Sequence, residues 1–136
     1  MDSHFMHLAI EEAKHATFPF GAVLVKDNKV IAKGRSGKPF DPTAHAEIAA
    51  IRSACKLLKT KDLSNTTLYT TCEPCPMCFT AAWNAKVKRI VYGTSLTESP
   101  FEEIAITTAY LNKKSHNKII LTGGILRDEI LELYKK

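Results

Sequence analysis

Apolar residues recur near helical spacing at Phe5, Leu8, Ala9 and Ala13, with Glu11, Glu12 and Lys14 between them, which predicts an amphipathic helix over residues 4–15. Thr17-Phe18-Pro19-Phe20 breaks that period. Gly21 to Val25 is short, apolar and partly β-branched, as a buried strand is, and Asp27-Asn28 turns the chain into Val30-Ile31-Ala32, so the two runs read as a hairpin. The loop-like Gly34-Arg35-Ser36-Gly37-Lys38-Pro39 leads to Asp41-Pro42, which resembles an N-cap with proline at the first helical position. A helix over about 42–59 then buries Ile48, Ile51, Cys55 and Leu58 at 3,4,3 spacing. Strands follow at 66–71, 88–93 and 118–121, and helices at 77–85, 98–111 and 126–134, the last with Leu126, Ile130, Leu131 and Leu133 facing in. Strands alternating with helices predict a layered α/β domain with a mixed sheet, and the absence of a repeat or linker makes residues 1–136 one domain.

Composition narrows the class. At 136 residues and 45% hydrophobic the chain can bury a substantial core, and no apolar run approaches the length of a membrane span. Met1 to His7 carries an acid and two histidines where a secretory signal has a basic region and then an apolar run, which implies a reducing, cytoplasmic compartment. A formal charge of +5 keeps nucleic acid among the partners, beside the plainer reading of a solvated lysine surface.

The four cysteines, Cys55, Cys72, Cys75 and Cys78, do not form a disulfide framework in such a compartment. Cys72, Cys75 and Cys78 lie at spacing three, with Pro74 and Pro76 between them. A Cys-x-x-Cys that opens a helix presents both sulfurs on one face near the positive end of the dipole, and Pro76 suits the first turn. Zinc needs four ligands, and His45 is the obvious nitrogen donor. A closed knot of Cys72, Cys75, Cys78 and His45 would hold the fold together and do no chemistry. An open site of His45, Cys75 and Cys78 leaves one position for water. Glu47, two residues from the histidine, favours the open site, because an activated water needs a proton carrier and a knot does not. Cys72 also ends a strand and lacks the helical geometry its neighbours share. His45 and Glu47, two apart in a regular helix, diverge, so both reach one site only if it lies off the helix's N-terminal end.

His45-x-Glu47 followed by Pro74-Cys75-x-x-Cys78 resembles the zinc-dependent cytidine-deaminase-like superfamily over nearly the whole chain. The resemblance implies a three-layer α/β/α sandwich with a central mixed five-stranded sheet. It implies zinc on His45, Cys75 and Cys78, with Glu47 moving protons from the activated water to the amine that leaves as ammonia. It further implies a homodimer with residues donated near the partner's site.

Within that superfamily, Pro19-Phe20-Gly21-Ala22-Val23 and Cys72-Glu73-Pro74-Cys75-Pro76-Met77-Cys78 look like bacterial guanine deaminases. Ala81, Ala85, Val87, Arg89 to Gly93 and the C-terminal residues look like tRNA adenosine deaminases that make wobble inosine. Guanine is the first expectation for substrate, wobble adenosine in tRNA the second, and cytosine or another nucleoside the third. A zinc-stabilised RNA-binding module without turnover is the reading from another class. Where both families carry a substrate-contacting asparagine this chain has Ser36. Where guanine deaminases carry an acid after a phenylalanine it has Phe101-Glu102-Glu103, so Glu103 either enters the pocket or is a solvated helix residue. Phe20 and Ala46 complete the expected substrate contacts. Trp83 either faces the pocket or packs in the core, and His4, His7, His15 and His116 are left on the surface. Under the tRNA reading, Arg35, Lys38, Lys86, Lys88 and Arg89 would contact phosphates.

Overall fold

The strongly periodic segments appear in the computed structural model, which describes residues 1–136, as α1 (Asp2–Lys14), β1 (Gly21–Lys26), β2 (Lys29–Arg35), α2 (Ala46–Leu58), β3 (Thr66–Cys72), α3 (Pro76–Asn84), β4 (Arg89–Thr94), α4 (Thr108–Lys114), β5 (Ile120–Thr122) and α5 (Arg127–Tyr134), with a 3₁₀ turn at Leu96–Glu98. The sheet order is β2-β1-β3-β4-β5. β1 runs antiparallel to both β2 and β3, and β3, β4 and β5 are mutually parallel, so the sheet is mixed and five-stranded as expected. No helix is long and apolar enough to cross a membrane.

Strand alternation divides the interior into two cores. Ala22 and Leu24 of β1, Leu68 of β3 and Ile90 of β4 join Ala50, Ala54 and Phe79 of α2 and α3 on one face. Val23, Val25, Tyr69 and Val91 join Phe5, Met6, Ile10 and Ile130 of α1 and α5 on the other. The result is the α/β/α sandwich. Two glycines permit the close seating of its outer layers: a Cβ on Gly21 would lie 2.2 Å from the Ala9 carbonyl oxygen, and one on Gly34 would lie 2.0 Å from that of Ala46. The second contact sets the first turn of α2 directly on β2.

Two helix starts differ from expectation, each for a local reason. α2 starts at Ala46 because Asp41 Oδ1 accepts from Thr43 N at 2.8 Å and Thr43 Oγ1 at 2.6 Å, closing residues 41–44 into a turn in place of a helical cap. With α2 so near β2, small Ala50 and Ala54 face the sheet beside Ile51, leaving Cys55 half-buried and Leu58 exposed, while Ile48 is buried outside that cluster. The expected 98–111 helix is absent over its first ten residues. Pro100 keeps Ser99 extended (φ −60°, ψ 141°), and helix resumes only where Thr107 Oγ1 caps it by accepting from Tyr110 N at 3.1 Å. β5 is short and starts at Ile120, while in α5 only Ile130 is fully buried and Leu131 and Leu133 are half-covered. Of the surface histidines, His7 does find a partner, Glu129 of α5 at 3.2 Å.

Asp2, at the start of α1, fastens that helix to the sheet. It accepts from Tyr69 OH at 2.8 Å and from both terminal nitrogens of Arg89 at 2.9 and 2.6 Å. Arg89 holds the Asp2 carboxyl below its ordinary value of 3.8. A carboxyl depressed by folding contributes fully above its unfolded value and loses that contribution as pH falls through the lowered native one. Asp2→Asn is expected to cost about 1–2 kcal/mol at neutral pH, and its deficit in urea denaturation should shrink once pH drops below the ordinary carboxylate range.

Candidate active site

β3 ends at Cys72, and the extended Glu73-Pro74 carries the chain to Cys75, the N-cap of α3 (φ −66°, ψ 169°), with Pro76 at the first helical position. Cys78 lies one turn further on and is fully buried. Across from it, His45 is the N-cap of α2 and is extended (φ −81°, ψ 155°), outside the helix proper. That placement resolves the divergence of His45 and Glu47: the cap residue swings towards α3 while Glu47 sits in the first turn behind it.

His45 Nδ1 lies 3.4 Å from Cys78 Sγ and 3.6 Å from Cys75 Sγ, and the three ligand atoms fall within 4.8 Å of one another. Zinc–sulfur bonds of about 2.3 Å and a zinc–nitrogen bond of about 2.05 Å at the tetrahedral angle place nitrogen and sulfur about 3.6 Å apart. The donor set and its spacing therefore fit zinc. Cys72 is not part of the cluster. Its Sγ–H donates to the Ser95 carbonyl at 3.7 Å, and burial pushes its thiol up to about 12.

The three groups share their protons unevenly. The Cys78 thiol donates to Cys75 and holds that sulfur at about 4, against the opposing effect of burial and with help from His45, while Cys78 itself is pushed up by the same contact. His45 is raised, first by its hydrogen bond to Cys75. Glu47 is 6% exposed, and burial raises its carboxyl to about 7, with the Cys75 thiolate adding to the shift and His45 opposing it.

A cavity of about 280 Å³ opens from this cluster, lined by His45, Glu47 and Cys75. The volume lies just under the roughly 300–1,000 Å³ of drug-sized ligand sites, which suits one heterocyclic ring system. Phe20, Ser36, Ala46 and Glu103, the four expected contacts, all line it. Phe20 forms an aromatic wall with Phe101 (5.8 Å between centroids, 61°), which in turn meets Phe18 edge-on (5.3 Å, 86°). The Ser36 hydroxyl donates to the Phe18 carbonyl at 2.6 Å, so its proton is spent on the loop. Ala46, the first residue of α2, donates its backbone N–H to no group of the protein. Glu103 is half-buried on the irregular segment before α4, where its Oε2 accepts from Ser99 Oγ at 3.0 Å; it is not the solvated helix residue of the alternative expectation.

Other expectations are corrected. Trp83 does not line this cavity and takes the core alternative: it packs half-buried against the α2–α3 core, its ring carries Lys118 Nζ at 4.9 Å, its Nε1 donates to the Ser115 carbonyl, and it borders a second cleft with Lys86 and Lys88. That cleft lies at the Thr66 end of β3, roughly 20 Å along the strand from the Cys72 end. Arg89 is committed to Asp2, and Arg35 Nε to Glu12 Oε1 at 2.9 Å, so of the five expected phosphate contacts only Lys38 lines the cavity. Thr70, Glu73 and the wall residues Phe18 and Phe101 were not singled out as site residues. Thr70 was legible as the even-numbered position of β3 that precedes the cysteine turn by one pleat.

The family model for the cytidine and deoxycytidylate deaminase zinc-binding region matches residues 1–94. The guanine deaminase of Bacillus subtilis is 49% identical over 83 residues, which span 60% of this chain and about half (53%) of that protein. The tRNA-specific adenosine deaminase of Buchnera aphidicola subsp. Baizongia pistaciae is 38% identical over 138 residues, spanning 97% of this chain and 85% of that one. A solved structure from work on A-to-I editing by tRNA:A34 deaminases at the wobble position is 36% identical, with a TM-score of 0.83, covering 96% of this chain and 99% of its own. With that family model matched over more than half of its length, the chain belongs to the cytidine and deoxycytidylate deaminase zinc-binding family.

Proposed function

We propose that the protein deaminates a free purine base, guanine to xanthine and ammonia, with zinc held by His45, Cys75 and Cys78. A zinc ion there supplies the Lewis acidity that brings a water's pKa down to about 7. The chain's own residues do the rest. Glu47, buried behind the histidine and raised to about 7, is placed to take a proton from the attacking water, hand it to the ring nitrogen beside the amino-bearing carbon, and deliver one to the departing amine. Phe20 and Phe101 supply apolar faces for the ring, and the Ala46 N–H a donor for a ring acceptor.

The observation that favours guanine is the sign of the pocket. Asp41, Glu47, Glu73, Glu102 and Glu103 line it, against Lys38 as the only lysine or arginine. A phosphate-bearing strand would meet like charge there. Guanine as a free base is uncharged and carries ring N–H donors, on the six-membered ring and on the imidazole, that adenine attached to ribose lacks. A half-buried carboxylate such as Glu103 is an acceptor for such a donor, and a site built to satisfy a donor discriminates strongly against a base without one. The tRNA reading has its own support: the match to tRNA-specific relatives runs through nearly the whole chain.

A panel of guanine, adenine, cytosine, their nucleosides and a tRNA anticodon stem-loop should release ammonia with guanine foremost. Activity on guanine should change little between low and moderate salt, whereas a tRNA substrate would show a steep decline as counterions compete. Glu103→Gln should weaken turnover of guanine, and alanine at Lys86 or Lys88 should be silent. Ammonia from the stem-loop and none from guanine would reverse the order.

Glu47→Gln keeps the shape and cannot carry a proton. It should fold, retain zinc by atomic absorption, and lose about 10²–10⁴-fold in activity. Near-normal turnover would remove Glu47 from the role.

Cys72→Ser should retain one zinc per chain and most activity, whereas Cys75→Ser and Cys78→Ser should lose both, as metal analysis of the purified variants would show. Loss of zinc from Cys72→Ser would favour the closed knot.

A further inference from the structure

Glu73 is a buried carboxylate, 5% exposed, with no lysine, arginine or histidine paired to it. Three donors hold it. Oε1 accepts from Leu96 N at 3.2 Å, and Oε2 accepts from Thr108 N and Thr108 Oγ1, both at 2.8 Å. Leu96 opens the 3₁₀ turn and Thr108 opens α4, so one side chain grips both ends of the intervening segment. Burying a carboxylate without a cationic partner is expensive unless its lone pairs are met by well-placed donors, and here two of the three are N–H groups that a helical first turn leaves free and the third is the Thr108 hydroxyl.

Glu98, at the near end, pairs with Arg127 of α5, and Phe101 meets Phe18 and Phe20; beyond these contacts the stretch between the two points has little to hold it. Residues 100–105 donate no backbone hydrogen bond to the body of the protein; Ile106 N reaches only Ile104 O, at 2.9 Å, and Phe101 N reaches only Ser99 Oγ, at 3.2 Å. Phe101 is 45% exposed, Ile104 67% and Ile106 42%, so the segment is not anchored by burial either. Yet it carries Phe101 and Glu103, which form the aromatic wall and the acceptor of the pocket.

We propose that Glu73 is a positioning residue for base selection: by fixing Leu96 and Thr108 at a set separation it determines where Phe101 and Glu103 stand in the pocket. It touches no reacting atom in this role. The inference rests on the deaminase reading of the pocket for its kinetic consequence, but its structural consequence holds whichever base is the substrate.

The test is Glu73→Gln, read on the zinc-loaded protein. Glutamine keeps the size but turns one acceptor into a donor, so at least one of the two grips is lost. Cleavage by chymotrypsin at Phe101 and by a glutamate-specific protease at Glu102 and Glu103 should accelerate about tenfold or more, because susceptibility follows local opening. Zinc content should be unchanged. With whichever base of the panel releases ammonia, KM should rise by about 10–10²-fold with kcat changed far less, a cost in the range set by small misplacements of binding groups. Glu103→Gln and Glu73→Gln combined should cost no more than the larger single change, since both act through one carboxylate's position. General destabilisation would instead lower the active fraction, and so kcat, with KM unmoved, and that result would overturn the proposal. So would proteolysis at the wild-type rate. Thr108→Val, which removes the hydroxyl donor and leaves the N–H, should shift protease susceptibility and KM in the same direction by a smaller factor; it carries the test if Glu73→Gln does not fold, and wild-type values for both would then overturn the proposal. Failure of every base to turn over would count against the deaminase reading, while the protease result would still decide the role of Glu73.

Discussion

A histidine and two cysteines separated by 30 and 33 positions can share one ion only if the first turns of two helices face each other within a few ångströms. Much of the architecture follows from that requirement. α2 must come down close on β2, which Gly34 allows by carrying no Cβ. α3 must begin within four residues of the end of β3, a short connection that Pro74 and Pro76 stiffen. The central strands β1 and β3, buried on both faces, supply the floor on which both helices pack. A ligand trio on flexible loops would have to be ordered by the metal itself; here the scaffold orders it, and the Nδ1–Sγ distances already match those of a tetrahedral ion.

The second constraint is electrostatic. Five carboxylates line one cavity, and three of them are accommodated in different ways. Glu47 is driven towards neutrality by burial, Asp41 is held ionised by the Thr43 hydroxyl and N–H, and Glu73 is satisfied by three donors. The differences matter because a proton carrier must be able to change state while a structural acceptor must not.

The layered α/β organisation and the three ligands were legible in the sequence because both depend on strong local signals: alternation and β-branched runs for the strands, and thiol spacing with prolines for the ligands. Three things were not legible. The true start of α2 turned on an Asx turn at Asp41, whose sequence looks the same as a helix cap. The residues from Pro100 to Thr107 contain enough helix-compatible side chains to mimic a helix, and only the conformation imposed on Ser99 by Pro100 decides against it. Arg35 and Arg89 looked free for phosphate because their partners, Glu12 and Asp2, lie far away in sequence and meet them only through the packing of α1. Local pattern identifies elements and ligands; long-range ion pairs and loop paths are set by packing that no window of the chain contains.

The segment between the 3₁₀ turn and α4 contributes no residue to either hydrophobic core, although it supplies one wall of the pocket. Its side chains can therefore be exchanged with little effect on the folding energy of the sandwich. In evolutionary terms the molecule separates the part that must be preserved from the part that can vary. A lineage could try new residues at 101–106 without first accumulating compensating stability, and an engineer seeking a different base could begin there for the same reason.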